Sequence, residues 1–193
     1  GATTAISINT SGDIAITGDN GGPSGIGGQS ISLNAGRSIL VGGNVAANNG
    51  NVALVANNGT ALPLPAGQTE PAVITMAEGS SIRAGNGTVS FSLLEGDSAT
   101  GAITLASINA SRIDVRNFGT SPGSDIEVRN TGILTASASG RAIDLASLSG
   151  EVRNFAGDLG LVLTGGGHYA VFAETPTGSQ IGSFSSYQRR YSI

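Results

Sequence analysis

Ile6-Ser-Ile-Asn-Thr-Ser-Gly-Asp-Ile-Ala-Ile16 and Ile31-Ser-Leu-Asn-Ala-Gly-Arg-Ser-Ile-Leu-Val41 are two versions of one pattern, offset by 25 residues. Each opens on an alternating apolar run, crosses a short polar bend and closes on a second alternating run. Alternation of period two with β-branched residues on the apolar phase is the signature of a half-buried strand. A strand, bend and strand that come back after some twenty-five residues describe one coil of a solenoid.

The same alternation recurs outward from this pair. It is seen at Val52-Ala-Leu54, Val89-Ser-Phe91-Ser-Leu93, Ile103-Thr-Leu105, Ile113-Asp-Val115, Ile126-Glu-Val128 and Ile143-Asp-Leu145. Pairs such as Asn49-Gly50, Asn58-Gly59 and Asn86-Gly87 separate the runs, and these residue types tolerate the positive φ of tight turns. No segment sustains a capped helical period, so the chain is expected to be all-β. A sandwich asks for longer strands and hairpin turns. Strands of three to five residues with internal similarity favour a parallel β-helix, in which each coil buries its inner face only by stacking on its neighbours. Two further similarities are read as coils. Ala102-Ile-Thr-Leu-Ala-Ser-Ile resembles Ala142-Ile-Asp-Leu-Ala-Ser-Leu at an offset of 40, close to two coils, and Val-Arg-Asn recurs at Val115, Val128 and Val152.

Composition agrees. Hydrophobic residues make up 39% of the 193 but aromatics only 4%, with no Trp, so the core is to be built of Ala, Ile, Leu and Val in repetitive layers. The 31 glycines follow no every-third register, which excludes collagen. The net charge is −4 and all nine basic residues are arginine, which disfavours a basic nucleic-acid footprint. Without cysteine, disulfides and thiolate metal sites are ruled out. No apolar run is long enough to cross a bilayer as a helix, and residues 1–25 lack the pattern of a signal peptide, so the chain reads as a piece of something longer.

Two segments break the pattern. Residues 61–72 hold three of the six prolines and residues 18–29 are glycine-rich, so both are expected to be loops projecting from coils. Residues 1–154 are read as coils, and 155–193 as the last coil with a C-terminal cap. Six of the eight aromatics lie there, at Phe155, Tyr169, Phe172, Phe184, Tyr187 and Tyr191. Bulky side chains folded over the last coil would cover its open apolar end and its unpaired edges.

Enzymes do occur on β-helices. Sugar hydrolysis needs two carboxylates facing one cleft, and the candidates are Asp114, Asp125, Glu127, Asp144 and Glu151. In Arg112-Ile-Asp-Val-Arg116, Asp125-Ile-Glu-Val-Arg129 and Glu151-Val-Arg153, however, charges alternate with apolar residues. Stacked on adjacent coils they are expected to form one outward ladder of opposite charges. That ladder is the candidate ligand-binding face: Arg112, Asp114, Arg116, Asp125, Glu127, Arg129, Glu151 and Arg153. His168 is the only histidine, and no Gly-x-Ser-x-Gly elbow accompanies it. Asp13, Asp19 and Asn20 sit in glycine-rich turns, but without the repeated nonapeptide of calcium-binding β-helices. Neither catalytic residues nor a cofactor or metal is expected. Asn34, Asn44, Asn57, Asn117, Asn130 and Asn154 are placed at coil corners, bonding backbone or stacking on one another.

Gly12-Asp-Ile-Ala-Ile-Thr-Gly18, and Gly42-Gly-Asn-Val-Ala-Ala-Asn-Asn-Gly-Asn-Val-Ala-Leu-Val-Ala-Asn-Asn-Gly59, resemble repeats of filamentous-haemagglutinin-like exoproteins. Gly167-His-Tyr-Ala-Val-Phe-Ala-Glu-Thr-Pro176 and Tyr187-Gln-Arg-Arg-Tyr191 resemble a segment that often closes their β-helices. The resemblance implies a right-handed parallel β-helix, two-partner secretion, a place at the bacterial cell surface or outside the cell, and a role in adhesion or biofilm cohesion. Its partners would be a glycan or protein of a host or neighbouring cell, or further copies of the chain. The family's N-terminal secretion domain, with its Asn-Pro motifs, is not among these residues. Self-assembly into a fibre and polysaccharide cleavage are the alternative readings.

Overall fold

In the computed structural model, which describes residues 4–18, 25–59, 70–174 and 179, the chain winds as a parallel β-helix. The first coil holds β1 (Ile6–Thr10), β2 (Ile14–Ile16) and β3 (Gly25–Gly28), and the second β4 (Ile31–Ala35), β5 (Ile39–Val41) and β6 (Asn44–Ala47). The third holds β7 (Val52–Ala56), β8 (Ala72–Met76) and β9 (Ser81–Arg83), and the fourth β10 (Thr88–Leu93), β11 (Thr100–Leu105) and β12 (Ser107–Ala110). The fifth holds β13 (Arg112–Asn117), β14 (Ile126–Val128) and β15 (Leu134–Ala136), and the sixth β16 (Arg141–Ser147), β17 (Val152–Asn154) and β18 (Leu161–Leu163). A further strand, β19 (His168–Ala173), begins the next turn. The first strand of each coil joins sheet A, the second sheet B and the third sheet C, and every pairing is parallel.

The core consists of like residues stacked along the axis. In sheet B the first inward column runs Ile14, Ile39, Ile74, Ile103, Ile126 and Val152. In sheet A the middle column runs Ile8, Leu33, Leu54, Phe91, Val115, Leu145 and Val171. Sheet C is thinner. Most of its inward pairs are a large residue followed by a small one (Ile26 and Gly28, Val45 and Ala47, Ile108 and Ala110, Leu134 and Ala136), and only in β18 are both large, Leu161 and Leu163. Branched side chains of one shape nest on the rung below with few voids, which a flat repetitive core requires.

The opening pair of segments stack as expected, with Ile6–Thr10 on Ile31–Ala35 and Ile14–Ile16 on Ile39–Val41. The other two similarities do not. Ile103 lies in sheet B and Ile143 in sheet A, so the segments at 102 and 142 never meet. Val115 likewise lies in a different sheet from Val128 and Val152, and the rung above Val128 is Asn154. All three inward walls ask for the same small-branched alternation, so sequence likeness alone does not tell one wall from another. Coil lengths, read along the first inward position of sheet A, vary from 21 to 37 residues, which further blurs the period. Part of each expected loop is strand instead: Gly25–Gly28 of the 18–29 segment pairs with β6, and Ala72 of the 61–72 segment is already in β8, while 19–24 and 60–69 lie outside the described residues.

Where coils turn, asparagine carries the corner. Asn57 is buried at φ 56°; its Nδ2 donates to the carbonyls of Leu94 and Ser98, and its Oδ1 accepts from the Ser98 N–H. Asn117 and Asn154 do the same work in later coils, bonding Gly101 and Asp125 carbonyls and the Gly157 carbonyl respectively. Asn34 and Asn44, expected at corners, lie instead within β4 and β6, where they accept from the Asn58 and Ser81 side chains. Corner asparagines therefore bond mainly to backbone, which would otherwise leave buried polar groups unpaired.

Candidate functional site

Charge gathers on coils 5 and 6, on two neighbouring faces. Because Ile113, Val115 and Asn117 of β13 point inward, Arg112, Asp114 and Arg116 stand out from sheet A. Asp114 pairs directly with Asp144 of the next coil, an arrangement of like charges that would repel by itself. Arginines answer it. Arg116 Nε donates to Asp114 Oδ1 at 2.8 Å and its Nη2 to Asp144 Oδ2 at 2.7 Å, while Arg141 Nη1 reaches the same Oδ2 at 2.9 Å. Arg112 stands 4.0 Å from both carboxylates. The Asp144 side chain is wholly buried beneath these guanidinia, and its Oδ1 has no hydrogen-bond partner.

The second face is on sheet B. Glu127 of β14 pairs with Arg153 of β17, and Arg153 gathers three carboxylates. Its Nη1 bonds Asp125 Oδ2 at 2.9 Å and Glu127 Oε1 at 3.1 Å, and its Nε bonds Glu151 Oε2 at 2.8 Å. The Glu151 hydrogen bond raises the Arg153 pKa; partial burial opposes it, and the Asp125 charge adds to it. Asp125 Oδ1 also accepts the Glu151 backbone N–H at 2.8 Å, tying the two coils together. Arg129 stands apart, its Nε on the Met76 carbonyl at 2.7 Å.

The single ladder expected from the sequence is thus two clusters. Residues 112–116 and 125–129 belong to successive strands of one coil, so they face different directions; Glu127 and Arg153 are opposite charges in direct register, whereas Arg116 reaches Asp144 diagonally across β13 and β16. The sheet A cluster is arginine-rich and the sheet B cluster carboxylate-rich. Arg141 and Asp144, neither of them on the face expected from the sequence, both belong to the sheet A cluster. Aligning Ile143-Asp-Leu145 with Ile113-Asp-Val115, instead of with Ile103-Thr-Leu105, would have found Asp144.

A groove of about 500 Å³ opens beside the sheet A cluster. Its origin is a column of unequal side chains. Arg116, Ala146 and Phe172 occupy the same outward position on three successive rungs, and the small middle member leaves a hollow. Phe118 and Leu148 follow β13 and β16 at the corner and form one wall, both large and 42% and 58% exposed. Arg141 also lines the groove, its guanidinium 5.5 Å from the Phe172 ring centroid, and Glu174, which follows β19 at the same corner as Phe118 and Leu148, completes the lining.

Of the aromatics assigned to a cap, Phe155, Tyr169 and Phe172 are among the described residues, and they face different directions. Tyr169 packs against the core above Ile143, and burial raises its phenol pKa. Phe172 points outward into the groove and Phe155 is 45% exposed. Phe184, Tyr187 and Tyr191 lie outside the described residues. Alternation explains the split, since neighbours in β19 must face opposite sides of the sheet. His168 is exposed at the start of β19, across from Arg141.

Among the described residues no group of His, Cys, Asp and Glu is arranged to hold a metal ion, and no helix is long and apolar enough to cross a membrane. The chain matches no protein-family model, no curated protein and no solved structure, so the chemistry of its faces rests on its own residues.

Proposed function

We propose that this chain is a structural and adhesive segment of a large bacterial surface exoprotein, a β-helical rod that mediates cell adhesion or biofilm cohesion. One observation carries the reading: charged side chains are concentrated on coils 5 and 6 and held in fixed positions by strand pairing, on a scaffold whose aliphatic ladders are spent on the core. A rigid face of this kind presents ligand-binding groups without the entropy cost of ordering them on contact. The repeat sequences at 12–18 and 42–59 support the placement outside the cell through their resemblance to surface exoproteins.

The test is retention of the purified chain on glycan and matrix-protein arrays and on cell layers. Binding to at least one surface, weakened by moderate salt as expected of exposed charges, supports the reading. Indifference to every glycan, matrix protein and cell type would contradict it.

A further inference from the structure

Resting on that adhesive reading, we propose that the groove floored by Ala146 is a saccharide site, and that it takes a sugar ring bearing a carboxylate, of the hexuronate class. Three features converge on this chemistry.

The first is the apolar lining. Phe118, Leu148 and Phe172 are not needed to fill the interior, yet all three border one hollow. Aromatic and aliphatic faces set around a small floor suit the C–H face of a pyranose ring, and the volume is in the range of small-molecule sites. The second is a pair of guanidinia with uncommitted donors. Arg116 uses Nε and one Nη on Asp114 and Asp144, and Arg141 uses one Nη on Asp144. Each guanidinium carries five N–H donors, so both retain N–H groups for a carboxylate. Their common anchor, the buried Asp144, fixes their positions before any ligand arrives. Burying a charge in this way is a poor route to stability, and holding two guanidinia beside a groove is a use that accounts for it.

The third feature is Glu174, which lines the groove beside Phe118 and Leu148. An acceptor-only group there opposes a simple anion but suits the hydroxyls of a sugar, which donate. Guanidinium donors, a carboxylate acceptor and apolar walls around one hollow match a ring that bears a carboxylate and hydroxyls. An acidic peptide side chain offers the carboxylate but no hydroxyl for Glu174.

The experiment is calorimetric titration of the whole chain with a hexuronate trisaccharide and with the same trisaccharide carboxyl-reduced to neutral hexoses. Saturable binding of the acidic form, at least tenfold weaker for the neutral one, is expected. Ala146→Leu fills the floor without touching any charge and should cost tenfold or more in affinity at an unchanged melting temperature; Phe118→Ala should weaken binding in the same direction. Arg37→Gln, which removes a guanidinium paired with Asp13 on the first two coils, should leave affinity unchanged. Absence of binding, equal binding of the neutral sugar, or full affinity in a folded Ala146→Leu variant would each overturn the assignment. Cell retention that persists while hexuronate binding fails would sink this site alone and leave the adhesive reading standing.

Discussion

Replacing Phe91 by alanine probes the stacked core where its side chains are largest. Phe91 is fully buried in β10, with Leu54 of β7 on one rung and Val115 of β13 on the other. Truncation loses the transfer free energy of the ring and leaves a cavity, which together amount to about 3–5 kcal/mol for Phe→Ala in a packed interior. Collapse into the gap is restricted here, because β10 is hydrogen-bonded on both edges and cannot approach either neighbour. The expected loss is therefore in the upper part of that range, about 4 kcal/mol. A solenoid responds locally, so hydrogen exchange of β10, β7 and β13 amides is the suitable readout, with denaturant unfolding as a second measure. Phe118→Ala serves as the paired control: that ring is 42% exposed on the outer face, and its loss should cost less than about 1 kcal/mol. Equal costs for the two substitutions would refute the assignment of inner and outer faces.

Asp144→Asn keeps the shape but removes the charge on which Arg116 and Arg141 converge; it should destabilise by about 2 kcal/mol, below the range for breaking a fully buried pair because the arginines keep 31% and 44% exposure. Asn57→Gly keeps the positive φ but loses the side-chain hydrogen bonds to Leu94, Ser98 and Thr100, whereas Asn57→Ala also strains the backbone, so unfolding curves should rank wild type above Gly and Gly above Ala. Tyr169 holds its proton longer in the folded chain than in the unfolded one. Its contribution to stability is thus complete below the ordinary tyrosine pKa of about 10 and is lost as pH rises through the folded value. Difference ultraviolet titration of wild type against Tyr169→Phe should show a phenol ionising above that value, and an ordinary midpoint would contradict its packing against the core.

Ten alternating runs were readable in the sequence, and all ten are strands of sheets A and B. Sheet C escaped notice for a physical reason. Its strands, such as Asn44–Ala47 and Ser107–Ala110, put one large residue and then an alanine on the inner face, so alternation of hydrophobicity fades although alternation of burial is complete. Gly25–Gly28 shows the limit of the same rule: Ile26 is its one large apolar side chain, and glycine-rich composition reads as a loop. The charged residues of the site were visible as a pattern, but their division between two faces was not. It depends on which sheet each strand joins, and that follows from coil length, which the loops make irregular. The groove was invisible for a related reason, since Arg116, Ala146 and Phe172 are adjacent only through pairing across coils.

Parallel stacking with this register is the claim on which everything else rests, and one distance tests it. Ser7, Ser32, Ala53, Ser90, Asp114, Asp144 and Ala170 form a single outward column of sheet A. The chain contains no cysteine, so cysteines introduced at Ser7 and Ala170 carry two spin labels cleanly. Six interstrand steps of ~4.8 Å place the labelled backbones ~29 Å apart, although the sites stand near opposite ends of the sequence. Double electron–electron resonance should give one narrow distribution near that distance. A broad distribution, or a narrow one displaced by more than about two interstrand steps of ~4.8 Å, would contradict the β-helix described.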